Sequence, residues 1–517
     1  MKMNSSLCFA VRNLRSIFQR RSSMDSKLLI ETPLNYLNGR RISPRAVIRS
    51  IPKINPASGS LMFDILCTGE EDVNNAVKSA KSAFSKWSKT SPRERGLVLS
   101  AAARKIREKL DEIAKYEVED TGKPLWEAKI DISGCADTLD YFGGIASTIS
   151  GSHHQLNNNS FAVVQREPLG VVAGIGAWNY PFQVMTWKAA PALACGNTFV
   201  YKPSELTPIT SVILAEILTE VGLPVGAISI LQGGYETGEL VCNHPDIAKL
   251  TFTGSVVTGQ KIVKSCAETM KRVTMELGGK SALLVFPDCN IKNAVKSTLL
   301  GNFFTQGEVC SNCTRVFVHK SILDEFTKEL VSATQELKVG NPYDKSTKVG
   351  AVINENHGIK ILNYIQSAKN EGAIVACGGE RITPKEAHLK GFYISPCVLT
   401  GCKDEMTAVK EEIFGPVVSV LSFESEEEAV RRANASPYGL AAGVMTKDIQ
   451  RAHRVASDLQ AGIVWINNYN LFPPEVPFGG YKMSGYGREN GLASINEFTQ
   501  LKTVYVEMNE DIDCPLL

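Results

Sequence analysis

The stretch TFVYKPSELTPITSVILAEILTEVGLPVGAISIL, residues 198–231, runs from one short apolar segment through a helical pattern into another. TFVYK from Thr198 and ISIL from Ile228 read as strands, and residues 213–221 between them as a helix. The same alternation extends outward on both sides. VVAGI begins at Val171 and is followed by a helix; KLTFTG at Lys249, a helix over 260–269 and a strand over 272–277 come after. From Pro168 onward the chain is therefore expected to build βαβ units around a parallel, Rossmann-like sheet. A second alternating set, over 282–466, contains ALLVF, RVFVH, VVSVLSF and AGIVWIN and predicts a second α/β domain.

Upstream, residues 36–65 read as short strands and turns, with INPASG at 54–59 as a loop. Val73, Ala76, Val77, Ala80, Phe84 and Trp87 recur at helical spacing behind Glu70, Glu71 and Asp72, which favour a helix amino terminus. One further helix is expected over 92–116 and another over 125–149. Residues 152–167, with HHQLNNN at their centre, read as an exposed hairpin in which His153 and His154 are surface residues. QLKTVYVEM at 500–508 alternates like a strand with an edge free to pair with a partner.

A chain of 517 residues is too long for one hydrophobic core, and its 44% hydrophobic content fills two or three. No apolar run approaches the roughly 20 residues that span a bilayer. Thirteen scattered cysteines, an odd number, suit thiols kept reduced inside a cell. The first 23 residues carry Lys2, Arg12, Arg15, Arg20 and Arg21 among Leu7, Phe9, Val11, Leu14, Ile17 and Phe18, without an acid. That pattern reads as a mitochondrial transit peptide or as an extension ahead of Met24, so the location is the cytosol or the mitochondrial matrix. Without those five charges the formal +2 becomes −3, which leaves no broad footprint for nucleic acid.

FFTQGEVCSNC, 303–313, places Cys310 shortly after Gly307 in a run whose only charge is Glu308. A thiol attacks carbonyl carbon as thiolate, so Cys310 requires an electropositive or hydrogen-bond-rich setting. Cys310 and Cys313 also form a C-x-x-C, the spacing of a redox dithiol or half a zinc site, but the only other pair near it is Cys397 and Cys402, no histidine stands in ligand register and the strand-then-helix setting of a thioredoxin motif is missing, so neither a dithiol nor a metal is expected. Upstream, TMELGGKS at 274–281 carries Glu276 in an apolar run, where burial would raise its pKa into the range of a general base. For a nucleotide, G-x-G-x-x-G fails because Asn179 stands where the third glycine belongs, and Walker A fails because Thr274 replaces its first glycine. FTGSVVTG, 252–259, remains as a strand end, glycine turn and helix start able to hold pyrophosphate, with Gly254, Ser255 and Gly259 as its candidates.

Seven blocks in order, GIGAWNYPFQ, KPSELTP, FTGSVVTG, MELGGKS, FFTQGEVCSNC, EEIFGPV and PFGGYKMSGYGRENG, resemble the aldehyde dehydrogenase superfamily from about Leu28 onward. The resemblance implies NAD as cofactor, with Trp178 and Ser255 along it, Lys202 and Glu205 on the adenosine ribose, and Glu412 and Phe414 on the nicotinamide side. A carboxylate at Glu205 repels a 2′-phosphate and so favours NAD over NADP. It implies further that Cys310 forms a thiohemiacetal with an aldehyde, that Asn179 and the Cys310 backbone N–H hold its oxyanion, and that Glu276 activates water on the resulting thioester. Lys188 matches a family active-site lysine.

Within the superfamily, SPYGLAAGV, IQRAHRV, QAGIVWINNYN and PPEVPFGGYK resemble the branch that oxidises trimethylammonio aldehydes such as 4-trimethylaminobutyraldehyde, a step of carnitine synthesis. Betaine aldehyde, aminoaldehydes and plain aliphatic aldehydes are its alternatives, and a non-catalytic binding protein on the same fold is a remote one that the joint presence of Cys310, Glu276 and Asn179 argues against. Tyr180, Trp187 and Phe472 then line the aldehyde tunnel and Asp131 is an anion near its mouth, a setting that suits a quaternary ammonium. The implied layout is a transit peptide or extension at 1–27, an NAD-binding domain from 28–150 and 168–276, and a catalytic domain at 277–485. An oligomerisation arm, 151–167 with 498–517, implies a homotetramer or homodimer.

Overall fold

A computed structural model describes residues 35–157, 159–511 and 514–516; the basic amino-terminal segment lies outside them. Its larger sheet has five parallel strands at its centre, in the order Ile228–Ile230, Thr198–Lys202, Val171–Ile175, Lys249–Thr253 and Arg272–Glu276. Antiparallel strands close both edges, Asn35–Leu37 with Arg40–Ile42 on one side and Gly485–Tyr486 on the other. Every residue of the three middle strands is buried except the half-buried Thr253, so helices must cover both faces. The strand order reverses at Val171–Ile175, whose neighbours come from 198–202 and 249–253; in open parallel sheets ligands bind beyond the strand ends at such a point.

A second sheet of seven strands carries Ala282–Val285 beside Arg315–His319 and Ala441–Met445, parallel except for its edge strand Ile374–Cys377. Gly278 and Gly279 separate the last parallel strand of the first sheet from the first strand of the second. Glu276, which ends one sheet, and the loop carrying Cys310, which leads into Arg315–His319, therefore stand at the junction of the two.

The expectations for two helices are corrected. The single helix over 92–116 is two helices, Pro92–Glu108 and Leu110–Thr121, because Lys109 leaves the helical region at φ −103°, ψ +14°. The strand expected near the carboxyl terminus is Thr499–Val506; one edge pairs antiparallel with Phe161–Pro168 of its own chain over eight residues, and its other edge stays at the margin of the sheet. With Ser152–Gln155 it forms a separate three-stranded sheet. The helix over 125–149 ends at Ile145 and continues as a single 3-10 turn to Thr148. Among the described residues no helix is long and apolar enough to cross a membrane.

Candidate active site

The helix Pro181–Ala194 opens with proline at its first position, where the missing N–H costs nothing. Tyr180 at its cap, Gln183, Val184 and Trp187 follow at i, i+3, i+4 and i+7, and all four line one cavity of about 1150 Å³. Asn179 precedes them and also lines it. The other walls come from the carboxyl ends of the parallel strands: Gly176 to Asn179 after Ile175, Lys202 with Ser204 and Glu205 after Tyr201, and Gly254 with Ser255 after Thr253. Glu276, at the end of the first sheet's last parallel strand, and Cys310, Glu412 and Phe414 from the second sheet's side complete it.

Nearly all the sequence-predicted residues thus converge on one space. Cys310 is half-buried between two small apolar clusters, one of Tyr180, Val184 and Val309, the other of Trp187, Leu440 and Phe478. Of the electropositive or hydrogen-bond-rich setting that was expected, the structure supplies the backbone N–H groups of Cys310 and Ser311. Burial first, then the nearby Glu412 and Glu276 carboxyls, push it up to about 12, against which only the backbone N–H groups of Cys310 and Ser311 act. The resting thiol therefore holds its proton. Both carboxylate oxygens of Glu276 lack a hydrogen-bond partner, and burial followed by Glu489 holds this group well above the usual carboxylate range. An unpartnered carboxyl with a raised pKa in the same cavity as a thiol is equipped to accept and release a proton.

Asn179 donates from Nδ2 to the Glu308 carbonyl at 2.8 Å, which ties its amide to the residue two before the thiol. Glu308 itself turns away from the cavity: its carboxyl accepts the Ile353 N–H at 2.9 Å, and burial raises its pKa well above the ordinary value. Cys313 is fully buried, with Sγ 3.6 Å from the Gly301 carbonyl and 3.4 Å from Asn302 Nδ2, and it does not line the cavity. All twelve described cysteines are free, and no described cluster has the makings of a metal site.

At the cleft's far end Lys202 Nζ lies 3.5 Å from Glu205. Ser255 caps the helix Val256–Ala267, its Oγ accepting the Thr258 N–H at 3.3 Å. Gly259 is not on the cavity wall; it faces inward, where a Cβ would stand 2.7 Å from Leu277, so its smallness serves helix–strand packing. Trp178 meets Phe414 edge-on at 5.1 Å, and a Glu412 oxygen accepts the Gly279 N–H at 3.1 Å. Phe414 is held at φ +59°, its carbonyl bonded to His357 Nε2 at 2.7 Å. On the tunnel side Trp187, Phe472 and Phe478 pack edge to face at 5.4–6.2 Å. Asp131 stands in the wall but is not a lone anion, because Lys123 Nζ holds it at 2.7 Å and also sits 3.9 Å from the centre of the Tyr180 ring.

Sequence reading missed Glu489, which lines the cavity and is bonded to Lys188, whose Nζ also reaches Thr253 Oγ1 at 2.7 Å. It lies within the GYGRENG segment, yet nothing in that segment distinguishes it from a surface acid. His357 and Lys123 were likewise silent, since each acquires its role from elements distant in sequence.

The aldehyde dehydrogenase family model matches residues 43–504, nine-tenths of the chain. This chain belongs to the aldehyde dehydrogenase family. Among curated aldehyde dehydrogenases it is 53% identical to 4-trimethylaminobutyraldehyde dehydrogenase A of Danio rerio over 502 residues, covering 97% of this chain and 99% of that one. It is 52% identical to the Homo sapiens 4-trimethylaminobutyraldehyde dehydrogenase over 483 residues, 93% of this chain and 98% of the other. A solved aldehyde dehydrogenase of Bacillus cereus superposes with a TM-score of 0.91 at 38% identity, covering 94% of this chain and 99% of that one. Betaine aldehyde dehydrogenase of Staphylococcus aureus, solved in complex with NAD+, superposes with a TM-score of 0.90 at 37% identity, over 94% and 97% of the two chains.

Proposed function

We propose that this aldehyde dehydrogenase oxidises an aldehyde to the carboxylic acid with NAD, through a thioester on Cys310, and that its favoured substrate is 4-trimethylaminobutyraldehyde, a step of carnitine synthesis. The observation that carries the reading is one cavity that joins a cleft at the strand ends to a thiol and an unpartnered carboxyl. The cleft fits a dinucleotide. Its volume exceeds that of an ordinary small-ligand pocket, a helix amino terminus capped by Ser255 faces it, and paired Lys202 and Glu205 at one end match ribose hydroxyls. Glu412 and Phe414 would hold the nicotinamide end, where the bound cofactor supplies a hydride acceptor.

Cys310 attacks the aldehyde carbon as thiolate, its proton having passed to solvent. Asn179 uses one amide N–H on Glu308; the second, with the Cys310 backbone N–H, is left for the oxyanion. Once the thioester has formed, Glu276 draws a proton from water, and the hydroxide equivalent displaces Cys310 as thiolate. The Trp187–Phe472–Phe478 rings would receive a trimethylammonium head.

A second reading, a preference for uncharged aldehydes, has its own support: Lys123 already neutralises Asp131 and covers one face of Tyr180. A panel of trimethylamino, amino and aliphatic aldehydes read by NADH absorbance decides between them. Higher kcat/KM for the trimethylamino compound is expected, and an aliphatic aldehyde of equal length that matches it sinks the substrate assignment. The same reading includes a homo-oligomer, dimer or tetramer, because the three-stranded sheet leaves Leu501 and Tyr505 more than half exposed. Sedimentation as a monomer at micromolar concentration contradicts it. For the compartment, the acid-free basic amino terminus supports the mitochondrial matrix alongside the cytosol.

A further inference from the structure

The turn that delivers the nucleophile adopts a backbone its sequence does not favour. Thr305, Gln306 and Gly307 follow one another at φ +48°, +53° and +75°. Only the last is glycine, and in this region a Cβ crowds the neighbouring carbonyl. The turn is wedged from one side: a Cβ added to Gly307 would stand 2.2 Å from the Gly415 carbonyl oxygen. Backbone of this kind persists only where its surroundings over-determine it, and such segments cluster at functional sites.

The restraint on its other side is a carboxyl of the helix Leu125–Ile145. Glu127 Oε2 accepts the Thr305 backbone N–H at 2.9 Å and lies 3.3 Å from the Thr305 hydroxyl, which in turn meets the Tyr180 hydroxyl at 2.8 Å. Glu127 is fully buried and does not line the cavity, so it cannot act on substrate directly. Burial, then the nearby Asp131, raise its pKa well above the ordinary value against the pull of Lys123 and of the Thr305 N–H.

We propose that Glu127 is a positioning residue: by holding Thr305 it fixes the left-handed 305–307 turn and thereby sets where the Cys310 thiol stands in the cavity. The proposal rests on the reading of Cys310 as nucleophile. A misplacement of about 1 Å at a reacting atom costs up to about a hundredfold in rate, so a turn that relaxes has a measurable consequence.

The test compares Glu127→Gln, which keeps an acceptor oxygen of the same reach, with Glu127→Met, which removes it. Three readouts are taken on full-length protein: kcat, KM for NAD, and the rate at which iodoacetamide alkylates Cys310, mapped by peptide mass spectrometry. Glu127→Gln is expected to stay within about threefold of the parent, and Glu127→Met to lose about tenfold or more in kcat and in alkylation rate with KM for NAD little changed. A second variant, Thr305→Gly, removes the need for the clamp, and in the Glu127→Met background it should recover part of the alkylation rate. That double variant also serves if Glu127→Met alone does not fold. Glu127→Gln as impaired as Glu127→Met, or Glu127→Met alkylated at the parental rate, overturns the proposal, as does a double variant that folds and recovers nothing. Loss of the nucleophile reading shows separately, as dehydrogenase activity that survives Cys310→Ser.

Discussion

Cys310 and Cys313 stand three positions apart and face different surroundings. The first opens on the cavity beside Glu276; the second is closed in by Gly301 and Asn302. Cys310→Ser is expected to lower turnover by at least about 10³-fold, while Cys313→Ser keeps most of it, measured as NADH formation. Equal loss in both would restore the dithiol alternative. For Glu276→Gln a burst of NADH should persist while steady turnover falls by about 10²–10⁴-fold, because the carboxamide cannot draw a proton from water. Stopped-flow absorbance separates the two phases, and absence of the burst would assign Glu276 to activation of the thiol as well. The thiol's elevated pKa was not legible in sequence, since it comes from Glu412 and from burial created by other segments. That Glu276 would be buried with a raised pKa was legible, because its neighbours in the strand are apolar.

At the scale of elements, the helix Pro181–Ala194 and the turn before Cys310 show how far local sequence reaches. Proline after Tyr180 starts the helix, and one face of it reaches the cavity; both follow from spacing. The 305–307 turn does not, because Thr305 and Gln306 have no preference for the left-handed region and are held there by Glu127 and Gly350. Gly307→Ala combines a strained φ with a Cβ 2.2 Å from a backbone carbonyl. It should cost more than the roughly 1–3 kcal/mol of the backbone strain alone, read as a lower urea midpoint, and reduce activity further than that instability explains. A parental midpoint and parental turnover would mean the turn re-forms elsewhere. The split of the helix expected over 92–116 has the same origin, since Lys109 carries no helix-breaking signal of its own.

Over the whole molecule, carboxyls buried between the helices that cover the first sheet tie stability to pH. Burial raises Glu117 to about 8 and Asp120 to about 6, although Lys123 and Lys53 pull each of them down. The folded state therefore keeps protons that the unfolded chain releases near pH 4–5, and the stability these groups add is present at low pH and lost as pH rises through their folded values. His357 acts oppositely: burial lowers it to about 4, so its contribution is lost as pH falls from about 6.5 towards 4. Glu117→Gln isolates the first effect. Relative to the parent, its Tm should rise steadily from pH 5 to pH 8 in scanning calorimetry; a constant difference would mean Glu117 is ionised when folded. By itself the sequence determined the alternation of strand and helix, the two α/β sheets, the family and the chemical set of thiol, carboxyl and amide, because periodicity and motif order are local properties. Only the tertiary structure decided that Lys123 neutralises Asp131 and that Glu489 and His357 join the cavity wall. It alone also paired the carboxyl-terminal strand with Phe161–Pro168 of the same chain. Each of these depends on which distant residue arrives beside a group, and burial and neighbouring charge act through space, where sequence order is not written.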